Sequence, residues 1–302
     1  MPPADQSHAV AYTARRIARH VRWARTEGLR RLIEEDRLNP VERATTAWAK
    51  RRWRRAHGVI PGQAHPVYVV GLQRSGTNML MRGLDAAPQF QVHNENDRRV
   101  FHRFQLRSDD VLAATISASR HAYVIVKPLC ETHRVDELLA LPGARPGRAL
   151  WAWRDVDDRA RSEVAKFGTS NLDALRAIAA GTIGAGWQGQ RLDPESRELI
   201  GGFDYATMTP HTAAALFWYV RNGLFFRLGL HRRDDVLLCS YDALIADPPG
   251  VTRRLCDFLG LAYDPRLSAH VESRTPTRRP LDIDPRVRAL CDELTERLVA
   301  HV

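Results

Sequence analysis

The chain has 302 residues, 44% hydrophobic and 26% charged, with a net charge of +10. That composition suits a globular protein with a packed core and excludes wholesale disorder. No apolar run approaches the roughly eighteen residues of a membrane span, because the best of them, Ala213–Val220, is ended by Arg221 and Asn222. The N-terminus lacks the apolar stretch of a secretory signal. The four cysteines are scattered and make no CxxC pair, so neither a zinc cluster nor a disulfide framework is expected. These features together lead to the expectation of a cytoplasmic protein with reduced thiols and no bound metal.

Residues 1–60 carry fourteen Lys or Arg against six acids, so eight of the ten net positive charges fall in this first fifth. The segment reads as a basic helical extension, separate from an α/β domain over 66–302. Ile17, Val21, Ala24, Leu32 and Ile33 recur at helical spacing among arginines. Asn39 and Pro40 then restart the chain as N-cap and first helical residue, Glu42 takes the capping-box position, and Gly58 ends the second helix. Solvated arginines on one face suit a helix packed by the other. A peripheral contact with an anionic membrane is the functional reading of this charge, while no nucleic-acid-binding signature is present. Pro61, Gly62 and Pro66 form a linker.

Beyond the linker, strands and helices alternate. Val67–Gly71, Tyr123–Val126, Arg148–Trp153 and Val236–Cys239 are largely apolar runs of strand length, and Phe90–Val92 reads as a short strand. Helical stretches are expected over 77–87, 132–141, 155–167, 172–183, 210–228, 248–259 and 285–302. Largely apolar strands separated by helices predict a parallel sheet covered on both faces, a three-layer α/β architecture. Ligands of such sheets bind beyond the C-terminal ends of the strands. Phe217, Trp218, Tyr219, Phe225 and Phe226 on the 210–228 helix read as core.

The sharpest motif is Gly71-Leu-Gln-Arg-Ser-Gly-Thr-Asn78, which follows a strand and opens a helix. Backbone N–H groups in such a turn, backed by the helix dipole, suit a phosphate. The frame is close to G-x-x-x-x-G-K-[ST], but Thr77 and Asn78 stand where the lysine and the magnesium-binding hydroxyl belong, and the basic residue comes earlier, at Arg74. A P-loop kinase or NTPase is therefore the lesser alternative. The run Arg74-Ser-Gly-Thr resembles the 5′-phosphosulfate loop of sulfotransferases that use 3′-phosphoadenosine-5′-phosphosulfate (PAPS). By that resemblance the fold is the P-loop-like sulfotransferase fold, Ser75, Gly76, Thr77 and Asn78 cradle the 5′-phosphate, and Arg74 neutralises the bridging oxygen.

Strand Arg148–Trp153 runs into Arg154-Asp-Val-Asp-Asp-Arg-Ala-Arg-Ser162. In the resembled family an Arg at a strand end and a Ser eight positions later hold the 3′-phosphate, which assigns Arg154 and Ser162. Val156 stands where the family often has proline. For Arg154 alone, an ion pair with Asp155 or Asp157 is the plain alternative. Val236–Pro248 followed by Leu255–Gly260 is a third point of resemblance and gives Tyr241 no chemistry. The resemblance spans about residues 66–262.

Sulfuryl transfer needs a base for the acceptor hydroxyl and cations near the leaving phosphate. Gln91-Val-His-Asn-Glu-Asn-Asp97 lies where several branches of the family place a catalytic Glu, so Glu95 is the first candidate, with Asp97 and His93 behind it. Lys127, at the end of strand Tyr123–Val126, resembles the lysine that stabilises the leaving group in tyrosylprotein-type members. Arg274, Arg278 and Arg279 read as a solvated basic loop. The expected reaction is sulfuryl transfer from PAPS to a hydroxyl of a carbohydrate, lipid or other small molecule, with 3′,5′-ADP as product.

Overall fold

The structure, a computed structural model, describes residues 40–182 and 186–302. The first helix expected in the basic extension lies outside the described residues. The chain divides into two compact units, residues 1–52 and 53–302. A helix runs over Pro40–His57, as the Pro40 and Gly58 signals predict. In its part within the first unit, Val41 and Trp48 are 68% and 64% exposed, and the Arg52 guanidinium lies 5.7 Å from the Trp48 ring centre.

The second unit is built on five parallel strands in the order β2-β5-β1-β6-β7. They are β1 (His65–Gly71), β2 (Phe90–His93), β5 (Tyr123–Val126), β6 (Arg148–Trp153) and β7 (Val236–Ser240). A two-stranded hairpin of β3 (Phe101–His102) and β4 (Gln105–Leu106) stands apart from the sheet. Side chains alternate along each strand. Tyr68 and Val70 of β1 join one buried cluster, with Trp151 and Trp218, while Val67 and Val69 join the other, with Leu80, Leu84 and Leu259. Helices cover both faces, which gives the three-layer α/β architecture.

The strand positions match the apolar runs. Helices fit less evenly. The 132–141 stretch is a 3-10 turn over Leu129–Arg134 followed by a short helix, Val135–Leu139. The 210–228 stretch breaks after Asn222 at Gly223, giving Pro210–Asn222 and Leu224–Arg227. Helices Asp109–Ser117, Pro194–Gly201 and Tyr241–Ala246 were not anticipated. Phe217, Trp218 and Phe225 are core residues, as expected. Among the described residues no helix is long and apolar enough to cross a membrane. Cys130, Cys239, Cys256 and Cys291 are buried and unpaired.

Candidate active site

The singled-out residues converge at one edge of the sheet, because each follows the C-terminal end of a strand. Arg74 follows β1, Glu95 follows β2, Lys127 follows β5, and Arg154 follows β6. Strand β1 is central, so its loop lies between the β5 and β6 ends.

The β1 loop turns sharply. Gly71 has φ +121° and Gly76 has φ +85°, and the loop opens helix Thr77–Ala86 with Gly76 as N-cap. No side chain caps this helix end, so its first N–H groups are directed out of the turn. Arg74 itself has φ +70°. For a residue with a Cβ, this left-handed conformation costs about 1–2 kcal/mol. Strain of this kind persists where the surroundings hold it, and two contacts do so. Arg74 Nε donates to Ser162 Oγ at 2.8 Å, and the neighbouring carbonyl of Gln73 accepts from Arg159 Nε at 3.2 Å. Arg159 is fully buried, with Nη1 on Asn171 Oδ1 and the Ala214 carbonyl and Nη2 facing Glu163 at 3.2 Å. Burial lowers the Arg159 pKa and raises that of Glu163, while each charge favours the ionised form of the other. This buried pair is a strut under the loop that sequence reasoning missed. Its signal was present in the spacing of Arg159 and Glu163, four residues and one helical turn apart.

On the other side of the loop stands Tyr241. A Cβ at Gly76 would overlap its ring, so the close approach requires glycine there. The Arg154 guanidinium stacks on the same ring at 4.5 Å, and Arg274 Nη2 donates to the Tyr241 hydroxyl at 3.2 Å. The next residue, Asp242, accepts from the Asp155 N–H at 3.0 Å. Tyr241 and Asp242 therefore tie the β1 loop to the β6 end. This positioning role agrees with a reading that gives Tyr241 no chemistry, and its partners lie far away in sequence. Arg274 is exposed, as are Arg278 and Arg279, but its contact with Tyr241 ties it to the site.

Arg154 does not pair with Asp155 or Asp157. Asp155 caps the following helix through the N–H groups of Asp157 and Asp158, and Asp157 grips Arg288. Arg154 Nη2 instead contacts Asp158 Oδ2 at 3.2 Å, and its Nε is buried without a partner. Ser75 Oγ is also buried without a partner. Ser162 Oγ accepts from Arg74 Nε, so the two site residues are in direct contact.

Toward β2 and β5, Lys127 is only 5% exposed, with Nζ 3.0 Å from Glu95 Oε2 and 2.7 Å from Asn78 Oδ1. A buried ammonium needs such partners, and these connect the phosphate-type loop to the candidate base. Asp97 and His93 are engaged elsewhere. His93 is fully buried, its Nδ1 2.7 Å from Asp97 Oδ2 and its Nε2 2.8 Å from Gln91. Asp97 also takes a forked contact from Arg99. Burial acts to raise the Asp97 pKa, but the hydrogen bonds from Arg99 and His93 outweigh it and hold the carboxyl well below the usual carboxylate range. Both residues thus brace the β2 end, and Glu95 is the one directed to Lys127.

Behind Lys127, the 3-10 turn Leu129–Arg134 carries Glu131. Its Oε1 accepts from the Leu106 N–H at 3.0 Å, which fastens the β3–β4 hairpin, and its Oε2 is buried without a partner. Burial raises this carboxyl to about 7, and the Glu95 charge adds to the effect. Among the described residues, no group of three or more His, Cys, Asp or Glu is arranged to hold a metal ion.

No protein-family model matches the sequence, and no curated protein matches it. Solved structures similar to it include two sulfotransferases. A sulfotransferase from Alicyclobacillus acidocaldarius has 18% identity and a TM-score of 0.41, over 79% of this chain and 93% of that one. The sulfotransferase domain of the Synechococcus PCC 7002 olefin synthase has 13% identity and a TM-score of 0.40, over 79% of this chain and 98% of the domain.

Proposed function

We propose that this chain is a sulfotransferase that moves a sulfuryl group from PAPS to a hydroxyl acceptor. The observation that carries the reading is the pair of buried polar atoms without partners, Ser75 Oγ in the β1 loop and Arg154 Nε at the β6 end. Unpartnered buried donors are costly, and two phosphates on one nucleotide would satisfy both. The β1 loop with its uncapped helix end suits the 5′-phosphate, and Arg154, held flat on Tyr241, offers a planar donor edge to the 3′-phosphate. The missing lysine after Gly76 and the arginine before Ser75 favour this nucleotide over ATP.

PAPS, when bound, supplies a sulfuryl group activated by a phosphate leaving group. Glu95 would take the proton of the acceptor hydroxyl as the acceptor oxygen bonds to sulfur and the bond from sulfur to the phosphate oxygen breaks. Lys127 holds Glu95 and Asn78 together, so the base stays in register with the loop. Arg74, fixed by Ser162, supports the charge that passes to the phosphate. A positioned base contributes on the order of a hundred- to ten-thousand-fold in rate. Transfer of label from [35S]PAPS into a mixture of hydroxylated metabolites tests the reaction. Label should appear in an organic product and fall by that order in Glu95→Gln; transfer unaffected by the substitution would remove Glu95 from the chemistry.

We further propose that helix Pro40–His57 touches an anionic membrane surface. Exposed Val41 and Trp48 stand among Arg43, Arg51, Arg52, Arg54 and Arg55, the composition of an interfacial helix.

A further inference from the structure

Among the described residues, Arg221 is a buried cation with no counter-ion. It is 1% exposed, near the end of helix Pro210–Asn222. Its Nη1 donates to the Gln190 carbonyl at 3.1 Å, and its guanidinium lies 5.6 Å from the Trp187 ring centre. Its Nε and Nη2 are buried and have no partner. Among the described residues, the other two buried Lys or Arg side chains each face a carboxylate, Lys127 on Glu95 and Arg159 on Glu163. Arg221 has none within ion-pair distance among the described residues.

The identity of the two unpartnered nitrogens matters. Nε–H and the Nη2 group form one edge of the planar guanidinium, a fork that accepts both oxygens of an oxyanion. Among the described residues a carboxylate fills that edge on Arg99 by Asp97, on Arg233 by Asp235, and on Arg266 by Asp264. On Arg221 the same edge is unpaired in the interior, where an uncompensated charge is least tolerable. The group nevertheless stays cationic at neutral pH. Burial and the neighbouring Arg227 lower it only to about 9, with Cys130 opposing them.

The location adjoins the reacting groups. The turn Trp187–Gly189, whose tryptophan covers Arg221, packs on the 3-10 turn Leu129–Arg134 that follows Lys127. Cys130 in that turn feels Glu95 and Arg221 alike: burial raises its thiol to about 12, Glu131 and Glu95 add to this, and Arg221 counteracts it. The nucleotide-type residues Ser75 and Arg154 follow β1 and β6, whereas this turn follows β5, on the side of the candidate base.

We propose that Arg221 is a specificity-determining residue of the acceptor site, and that the acceptor carries a carboxylate beside the hydroxyl that receives the sulfuryl group. The acceptor's carboxylate takes the Nε and Nη2 edge of Arg221, which fixes the hydroxyl toward Glu95. This rests on the sulfotransferase reading for the reaction, but the unpaired cation exists independently of it.

Arg221→Met separates the possibilities. If Arg221 is held for a ligand, removing the charge relieves the free protein, so the variant melts at the same temperature as the wild type or higher. It also binds 3′,5′-ADP unchanged. With PAPS, the wild type sulfates 4-hydroxybenzoate over phenol, or glucuronate over glucose, by tenfold or more, and Arg221→Met loses that preference. A variant that melts lower overturns the proposal, since Arg221 would then be a structural residue. Equal or reversed preference within a pair overturns it as well. If no member of either pair is sulfated, the melting comparison decides alone. Failure of 3′,5′-ADP to bind the wild type would count against the sulfotransferase reading and leave the melting result standing.

Discussion

Gly76→Ala probes the contact that shapes the phosphate-type loop. Two costs add. Alanine at φ +85° pays about 1–2 kcal/mol for the left-handed conformation. Its Cβ also overlaps the Tyr241 ring, and overpacking of that kind costs about 1–3 kcal/mol. The sum is about 2–5 kcal/mol, and at about 2–4 °C per kcal/mol for a domain of this size the melting temperature falls by about 4–20 °C. Tyr241→Ala removes the overlap but leaves the backbone cost. Introduced into that background, Gly76→Ala should therefore cost only the conformational part, about 1–2 kcal/mol. Denaturant melts of the four proteins in the cycle measure the difference. An equal cost of Gly76→Ala in both backgrounds would refute the claim that the Tyr241 ring sets the loop.

Arg154→Lys keeps the charge but loses the planar donor edge and the stacking on Tyr241. It should weaken 3′,5′-ADP tenfold or more and 5′-ADP little, as read by calorimetry. Glu131→Gln removes a carboxyl whose folded pKa, about 7, exceeds its unfolded value of 4.5, so the wild type gains stability from it that is full below 4.5 and lost as pH rises through 7. Melting curves of the two proteins should accordingly converge in slope outside that window and diverge within it. Trp48→Ala should reduce pelleting with vesicles containing anionic lipid at low salt and leave sulfuryl transfer unchanged; pelleting insensitive to the substitution would end the membrane contact.

The sheet was legible because most of its strands are largely apolar runs, β2 with Gln91 and His93 being the exception. Arg148–Trp153 was delimited to the residue, and only buried parallel strands read that way. The short helices and the Phe101–Leu106 hairpin carry no periodicity long enough to register. The break at Gly223 was hidden inside a helix that is apolar on nearly every side. Within the site, Arg74 and Arg154 were legible through the motifs that carry the resemblance, and Lys127 as a lysine at the end of a buried strand. Arg159, Tyr241 and Arg221 were not, since their meaning lies in partners such as Gln73, Gly76 and Gln190, which only the fold brings near. His93 and Asp97 looked equivalent to Glu95 in the sequence. Their mutual hydrogen bond, and Arg99 beside it, separate them from it.

Calorimetric titration with 3′,5′-ADP, set against 5′-ADP with magnesium, tests the central claim most directly. The account predicts tight, metal-independent binding of the 3′-phosphorylated nucleotide, weakened in Arg154→Ala. Binding that requires magnesium and ignores the 3′-phosphate would contradict it and point to an ATP-type phosphate loop.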